Sequence, residues 1–201
     1  MIELYYASPS LFGRKVLTVL MEKNLDYEIK TMSFAAGDHK KPEYLKLNPN
    51  GQIPTLVDEG NVIYESTAII EYLEEEYPFP ELMPKDSFHR ARVRMAEDFC
   101  DLHLYQAVGH CMMQKLFHKK ELTESDTAPV VSAMKRMEEY LGKKEYLVDH
   151  FSLADCAFMP VISTLPHLDL RPLLESFGPM KSYVENVKSR SSFRGADLMA
   201  A

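Results

Sequence analysis

The sequence predicts a small α/β domain followed by an all-helical one. Strand-like and helix-like segments alternate up to residue 77, and nothing after Leu82 reads as strand. Pro78, Pro80 and Pro84 punctuate the stretch between. These observations divide the chain into residues 1–77, a linker at 78–85 and a helical region at 86–201.

Ile2 to Tyr6 reads as the opening strand. After Pro9 and Ser10, residues Phe12, Val16, Leu17, Val19, Leu20 and Met21 give a helical apolar face, with Asn24 as a left-handed stop. Leu25 to Lys30 alternates as a second strand. Strand, helix and strand in that order imply a parallel pair with a right-handed crossover. Residues 33–47 are a polar connection with one helical turn at Glu43–Leu47. Asn48, Pro49, Asn50 and Gly51 reverse the chain. Thr55–Val57 and Val62–Tyr64 flank a tight Asp58–Asn61 turn as a hairpin. The Ile53–Pro54 bond is a candidate for the cis form. Ser66 precedes the helical pattern Ala68, Ile69, Ile70, Tyr72 and Leu73 and is a candidate N-cap.

In the second half, Asp86 is placed to cap a helix running from about Phe88 toward Phe117. Its apolar set includes Val93, Phe99, Leu102, Val108, Met112 and Leu116. Thr123, Asp126 and Pro129 mark a break. Val130, Met134, Met137 and Leu141 form a stripe that ends at Gly142. Ser152-Leu-Ala-Asp155 has capping-box spacing, with Phe151 placed to staple the helix and Pro160 placed to kink it. Val184 and Val187 mark a final amphipathic helix.

Composition narrows the function. The 201 residues are 46% hydrophobic and 26% charged, with a net charge of −7. An acidic chain offers no electrostatic reason to bind nucleic acid. No apolar run is long enough to span a membrane, and no signal peptide is visible at the start. Cysteines 100, 111 and 156 are odd in number and form no CxxC pair, which favours a reducing compartment, by default the cytoplasm. His103, His110 and His118 lie 7 and 8 residues apart, too far to share one ion, so no metal is expected.

Residues 48–67 carry the strongest functional signal. The start of the helix after Tyr64 offers free N–H groups and a positive dipole end to a carboxylate, and a backbone edge beside Pro54 can pair with a peptide. The segment "LNPNGQIPTLVDEGNVIYESTAIIEYL" resembles the glutathione-binding segment of the glutathione S-transferase family, and "FSLADCAFMP" resembles its helical-domain capping motif. The resemblance covers nearly the whole chain. It implies a thioredoxin-like N-terminal domain, glutathione as co-substrate, a hydrophobic electrophile or a peroxide as the second substrate, and a homodimer.

The chemistry such a site needs is thiolate stabilisation. A free thiol with a pKa near ~8.5 is only roughly 3% ionised at pH 7. A hydroxyl donating to sulfur raises that fraction. Ser8-Pro9-Ser10-Leu11-Phe12-Gly13-Arg14-Lys15-Val16 resembles the family pattern between the first strand and first helix, with Leu11 where proline is usual. By that resemblance Ser10 is the thiolate-stabilising residue, with Ser8 second and Tyr5 and Tyr6 third. Glu65 would take the γ-glutamyl ammonium and Ser66 its carboxylate. Ile53 would pair its backbone with the cysteinyl unit, and Gln52 with one of His39, Lys40 or Lys41 would reach the glycyl carboxylate. Phe12 and Pro54 complete the glutathione set. Tyr105, Met112 and Met113 are the electrophile-pocket candidates, and Asp98 or Asp101 would reach a site across a dimer.

A second resemblance points to a different class. "LNPN..IPTLVD", Tyr77-Pro-Phe-Pro-Glu-Leu-Met-Pro84 and Phe151-Ser-Leu-Ala-Asp-Cys156 are similar to stringent starvation protein A, a transferase-fold interaction protein that binds RNA polymerase.

Overall fold

The structure is a computed structural model, and it describes residues 1–175 and 178–197. Four strands, β1 (Ile2–Tyr6), β2 (Tyr27–Thr31), β3 (Thr55–Asp58) and β4 (Asn61–Tyr64), form one sheet in the order β2-β1-β3-β4. β1 and β2 are parallel, joined through helix α1 (Leu11–Glu22), as the strand–helix–strand start implies. β3 runs antiparallel to both β1 and β4. The β3–β4 turn holds Glu59 and Gly60 at positive φ (50° and 87°), the geometry of a two-residue hairpin. A 3-10 turn at Asp38–Lys40 and a short α2 (Pro42–Leu45) occupy the polar connection, and α3 (Ser66–Glu76) closes the unit. This is the thioredoxin-like layout.

The rest of the described chain is helical. α4 (Ser87–Phe99) starts at the predicted cap, Asp86 accepting from the His89 amide at 3.0 Å. The predicted helix from 88 to 117 is not uniform. α-Helical turns alternate with π-helical ones at Cys100–Leu104 and Met113–Phe117, flanking α5 (Tyr105–Met112). Each π turn takes in an extra residue and rotates the faces that follow. Leu102, expected on the apolar side, is 65% exposed because it lies about half a turn round the helix from the buried Val93, Cys100 and Leu104.

α6 (Glu124–Leu141) also differs from expectation. Thr123 and Asp126 begin this helix through a reciprocal capping box, and it runs on through Pro129, which forgoes only the bond to the Ser125 carbonyl. Its stripe Val130, Met134, Met137 and Leu141 is fully buried and stops at Gly142, where φ is 57°. α7 (Leu153–Thr164) has the predicted Ser152–Asp155 box and continues through Pro160. The Phe151 ring before it packs against the core, edge-on to Tyr146 and under the Arg190 guanidinium. Every residue of α7 is buried, so it is the central post around which α1, α4 and α9 (Gly178–Ser189) stand. Between α7 and α9 lies the short α8 (Pro172–Glu175), and α10 (Phe193–Ala196) returns to α1. Gly195 is required there: a Cβ would lie 2.9 Å from the Thr18 nitrogen.

The connection between α3 and α4 is fixed by an ion pair. Lys23, at the end of α1, is buried and pairs with Glu74 at 2.7 Å. It also donates to the Tyr77 and Pro80 carbonyls, while Glu74 accepts from the Leu82 and Met83 amides. Removing one partner of such a pair leaves a buried charge without its counterion. Glu74→Ala is expected to lower unfolding free energy by about 3 kcal/mol, measured by urea denaturation with an unchanged slope, and wild-type stability in that variant would contradict the account.

Candidate functional site

The sheet register builds the site. Thr55 on β3 stands opposite Tyr5 on β1 and Tyr64 on β4. The residues just beyond these three positions therefore gather at one end of the sheet. They are the loop to Ser10 after β1, Ile53–Pro54 before β3, and Glu65–Ser66 after β4. The Ile53–Pro54 peptide is cis.

Ser10 caps α1. Its Oγ accepts from the Gly13 amide at 3.0 Å and donates to the Ile53 carbonyl across a longer 3.4 Å. The weaker of these contacts is the donation, so the hydroxyl can turn its proton to another acceptor at small cost. Ser8 is half-buried, and its hydroxyl bonds that of Tyr6. The two tyrosines point to opposite faces of β1. Tyr6 is buried against Gly13, and burial raises its pKa above the ordinary phenol value. Tyr5 packs on Tyr44, with ring centroids 5.7 Å apart.

Ser66 is not the cap of α3. Glu65 occupies that position at φ 69°, and Ser66 is the buried first helical residue. The first bond of the helix runs from the Ile69 amide to the Glu65 carbonyl, so the amides of residues 66 to 68 have no intrahelical partner. The exposed Glu65 accepts from Asn50 Nδ2 at 3.2 Å, which ties the helix mouth to the 48–51 turn.

That turn is tightly held. Gly51 has φ 58°, and a Cβ there would meet the His39 carbonyl at 2.8 Å and Lys40 Nζ at 2.9 Å. Of the three basic candidates, Lys40 donates to the Gly51 carbonyl at 3.1 Å and Lys41 pairs with Asp38 at 2.6 Å. His39 packs edge-on against Phe34, and its buried Nδ1 has no partner among the described residues. The Gln52 side chain is exposed, while Ile53 is buried with Ala7 and Tyr44.

Two of the electrophile-pocket candidates are corrected. Tyr105 is 2% exposed, stacks edge-on against Phe12 and donates to the Ala157 carbonyl. Met112 is buried in the main core because α5 turns it toward the other helices. Met113, at 46% exposure, is the one of the three that faces outward.

Asp101 is engaged within its own chain, while Asp98 is exposed. Lys15 of α1 is buried and meets Glu97 at 2.5 Å and Asp101 at 2.7 Å, with Thr67 of α3 donating to Glu97 at 2.8 Å. Beside it, Arg14 is fully buried and donates to the Pro160 and Ala196 carbonyls and to Thr164 Oγ1. Neither cation was identified from sequence as a site residue. The signal was present for Lys15, which follows Leu11 by four and precedes Val19 by four, on the buried stripe of α1.

The comparisons fit this geometry. Residues 9–76 match the glutathione S-transferase N-terminal domain and residues 99–191 its C-terminal domain. The maleylacetoacetate isomerase of Pseudomonas aeruginosa is 35% identical over 164 residues, 78% of this chain and 76% of that protein. The chain belongs to the glutathione S-transferase family. Members use glutathione as substrate, bind hydrophobic second substrates and typically dimerise, and glutathione transferase activity is their general chemistry. A delta-class glutathione transferase of Nilaparvata lugens superposes with a TM-score of 0.88 at 30% identity, covering 98% of this chain and 93% of that one. A stringent starvation protein A homolog of Coxiella burnetii is 28% identical over 194 residues, 96% of this chain and 90% of that protein. Among the described residues, no helix is long and apolar enough to cross a membrane, and no group of three or more His, Cys, Asp or Glu residues could hold a metal.

The Lys15 cluster of this transferase-family chain has a pH signature. Burial, reinforced by the Glu97 charge and opposed by Lys15, pushes the Asp101 carboxyl up to about 6. A carboxyl raised above its unfolded value of about 3.9 favours the folded state most below that value, and the contribution is lost as pH rises through about 6. Asp101→Asn removes this dependence and leaves Lys15 with a single counterion. The variant is expected to melt higher than wild type at pH 7.5, with the difference gone at pH 4, by differential scanning fluorimetry. A gap that widens on acidification would reverse the sign and refute the assignment.

Proposed function

We propose that the chain is a serine-type glutathione transferase in which Ser10 stabilises the thiolate. The observation that carries this reading is the register Tyr5–Thr55–Tyr64, together with the contact between Ser10 Oγ and the Ile53 carbonyl. The Ile53 amide has no hydrogen-bond partner among the described residues, so it is open to an extended peptide added as a strand. The α3 mouth accepts the γ-glutamyl carboxylate through Ser66, and the exposed Glu65 takes the ammonium. His39, with its unpartnered ring nitrogen, is the favoured base for the glycyl carboxylate. The cysteinyl sulfur then lies at the start of α1, where the Ser10 hydroxyl donates to it and the helix dipole favours negative charge. The second substrate is a hydrophobic electrophile or a peroxide, bound as far as side chains reach on the Met113 side. The protein acts as a homodimer. Its three buried free thiols suit a reducing compartment, the cytoplasm.

A second reading has one observation in its favour. Phe79 is 76% exposed between Pro78 and Pro80, on a connection held rigid by Lys23 and Glu74. Such a fixed apolar knob suits a protein partner, and under this reading the chain is a non-catalytic relative of stringent starvation protein A that binds RNA polymerase. Retention on a glutathione resin separates the two classes. A chain that passes through the resin but co-purifies with RNA polymerase, and loses it on Phe79→Ala, would favour the second.

The catalytic assignment is tested by Ser10→Ala. Lowering a thiol pKa by ~2 units raises the thiolate about 25-fold at pH 7. The variant is expected to conjugate glutathione to a chloronitrobenzene electrophile roughly 25-fold more slowly at pH 7. The deficit should shrink to near zero by about pH 9.5, where the thiol ionises unaided. Equal rates at pH 7 would remove Ser10 from the role.

A further inference from the structure

The segment from Asn48 to Thr55 is held from below by three buried side chains, Tyr44, Asn48 and Thr55. Tyr44 is 4% exposed, its ring in contact with Tyr5 and clustered with Ala7 and Ile53. Its hydroxyl donates to the Gln52 carbonyl at 2.5 Å. Asn48 Nδ2 donates to the same carbonyl at 2.9 Å and to Thr55 Oγ1 at 3.3 Å. Thr55 Oγ1, fully buried, lies 2.8 Å from the Tyr44 hydroxyl and closes the ring by donating to it. Each polar atom of this network therefore has a partner, and the Gln52 carbonyl is pulled inward by two donors.

The consequence lies on the other side of the same peptide. The Gln52–Ile53 unit is trans, so its carbonyl and its N–H point in opposite directions. A carbonyl fixed inward forces the Ile53 N–H outward. That is the amide without a partner among the described residues. We infer that Tyr44, acting with Asn48 and Thr55, is a positioning residue that aims the Ile53 N–H at the backbone of the bound thiol peptide. The inference rests on the proposed glutathione reading and adds to it. The affinity of the strand-like contact is set from beneath the loop, by a hydroxyl that never meets the ligand. Without that hydroxyl the peptide plane can rock, and ordering it again on binding weakens the contact.

The test is Tyr44→Phe, which keeps the ring and removes the hydroxyl. Two probes are used in titration calorimetry, glutathione and S-methylglutathione, which has no ionisable thiol. The variant is expected to bind both about five- to tenfold more weakly, the scale of one lost hydrogen bond. Its KM for glutathione should rise by the same factor, with kcat and the pKa of the bound thiol unchanged. Weakening confined to glutathione would assign Tyr44 to the sulfur and overturn the inference, as would unchanged binding of both probes. Wild-type protein that binds neither probe would instead overturn the glutathione reading itself. Thr55→Val provides a second route should Tyr44→Phe lose the fold, with about a two- to threefold loss expected for both probes. Hydrogen exchange reads the amide directly. In wild type the Ile53 N–H should exchange quickly when free and slowly with S-methylglutathione bound, and no slowing would also refute the inference.

Discussion

Two adjacent cations buried on α1 tie the halves of this protein together. Lys15 reaches Glu97 and Asp101 at the junction of α4 with the first π turn, and Arg14 reaches Pro160 and Thr164 on α7 and Ala196 on α10. A lone buried charge is costly, so each is tolerated only with its partners in place. Lys15 is compensated by carboxylates, and one lysine against two acids leaves the cluster short of positive charge. Arg14 instead donates to neutral oxygens, and burial, opposed by nearby groups that include the Asp197 carboxylate, pulls its guanidinium down to about 10, still protonated at neutral pH. Helix α1 is thereby fixed in orientation by the helical domain while it packs on its own sheet.

That constraint reaches the site because Ser10 is the cap of the same helix. Its position relative to Ile53 follows from where α1 sits, and Thr67, next to Ser66, is drawn into the Lys15 cluster. The mouths of α1 and α3 are thus referenced to one set of buried charges. The loop between them is referenced to another, the neutral Tyr44–Asn48–Thr55 ring. The proposed grip on a small peptide at three points needs those points held to a fraction of an ångström, and here each is set by buried groups behind it. A third cation, Lys23, does the same for the connection between domains, so the exposed Phe79 stands on a rigid base.

Much of this was legible beforehand. The strands, the hairpin turn, the Asp86 and Ser152–Asp155 caps and the stripe of α6 follow from periodicity and capping chemistry that act within a few residues. The same logic overreached where local signals were ambiguous. Pro129 reads as a breaker but lies inside α6, whose capping box had already fixed the first turn. Ser66 reads as a cap, yet Glu65 adopts the positive φ and takes the position. The apolar set from Val93 to Leu116 was read as one stripe, yet Leu102 lies about half a turn round from Val93 and faces outward, while Met112 is in the core.

By itself the sequence determined the strands and main helices in their order, the turn at Gly51 and the family, because these depend on neighbours in the chain or on a motif written in one stretch. Only the tertiary structure decided that Lys15 would be buried against acids 82 and 86 positions away, that Arg14 would reach carbonyls 146 and 182 positions away, and that Tyr44 would hold the back of the Gln52 carbonyl. The physical reason is that burial of a charge or a hydroxyl is decided by partners brought in from distant segments, and no local pattern records where those partners will arrive.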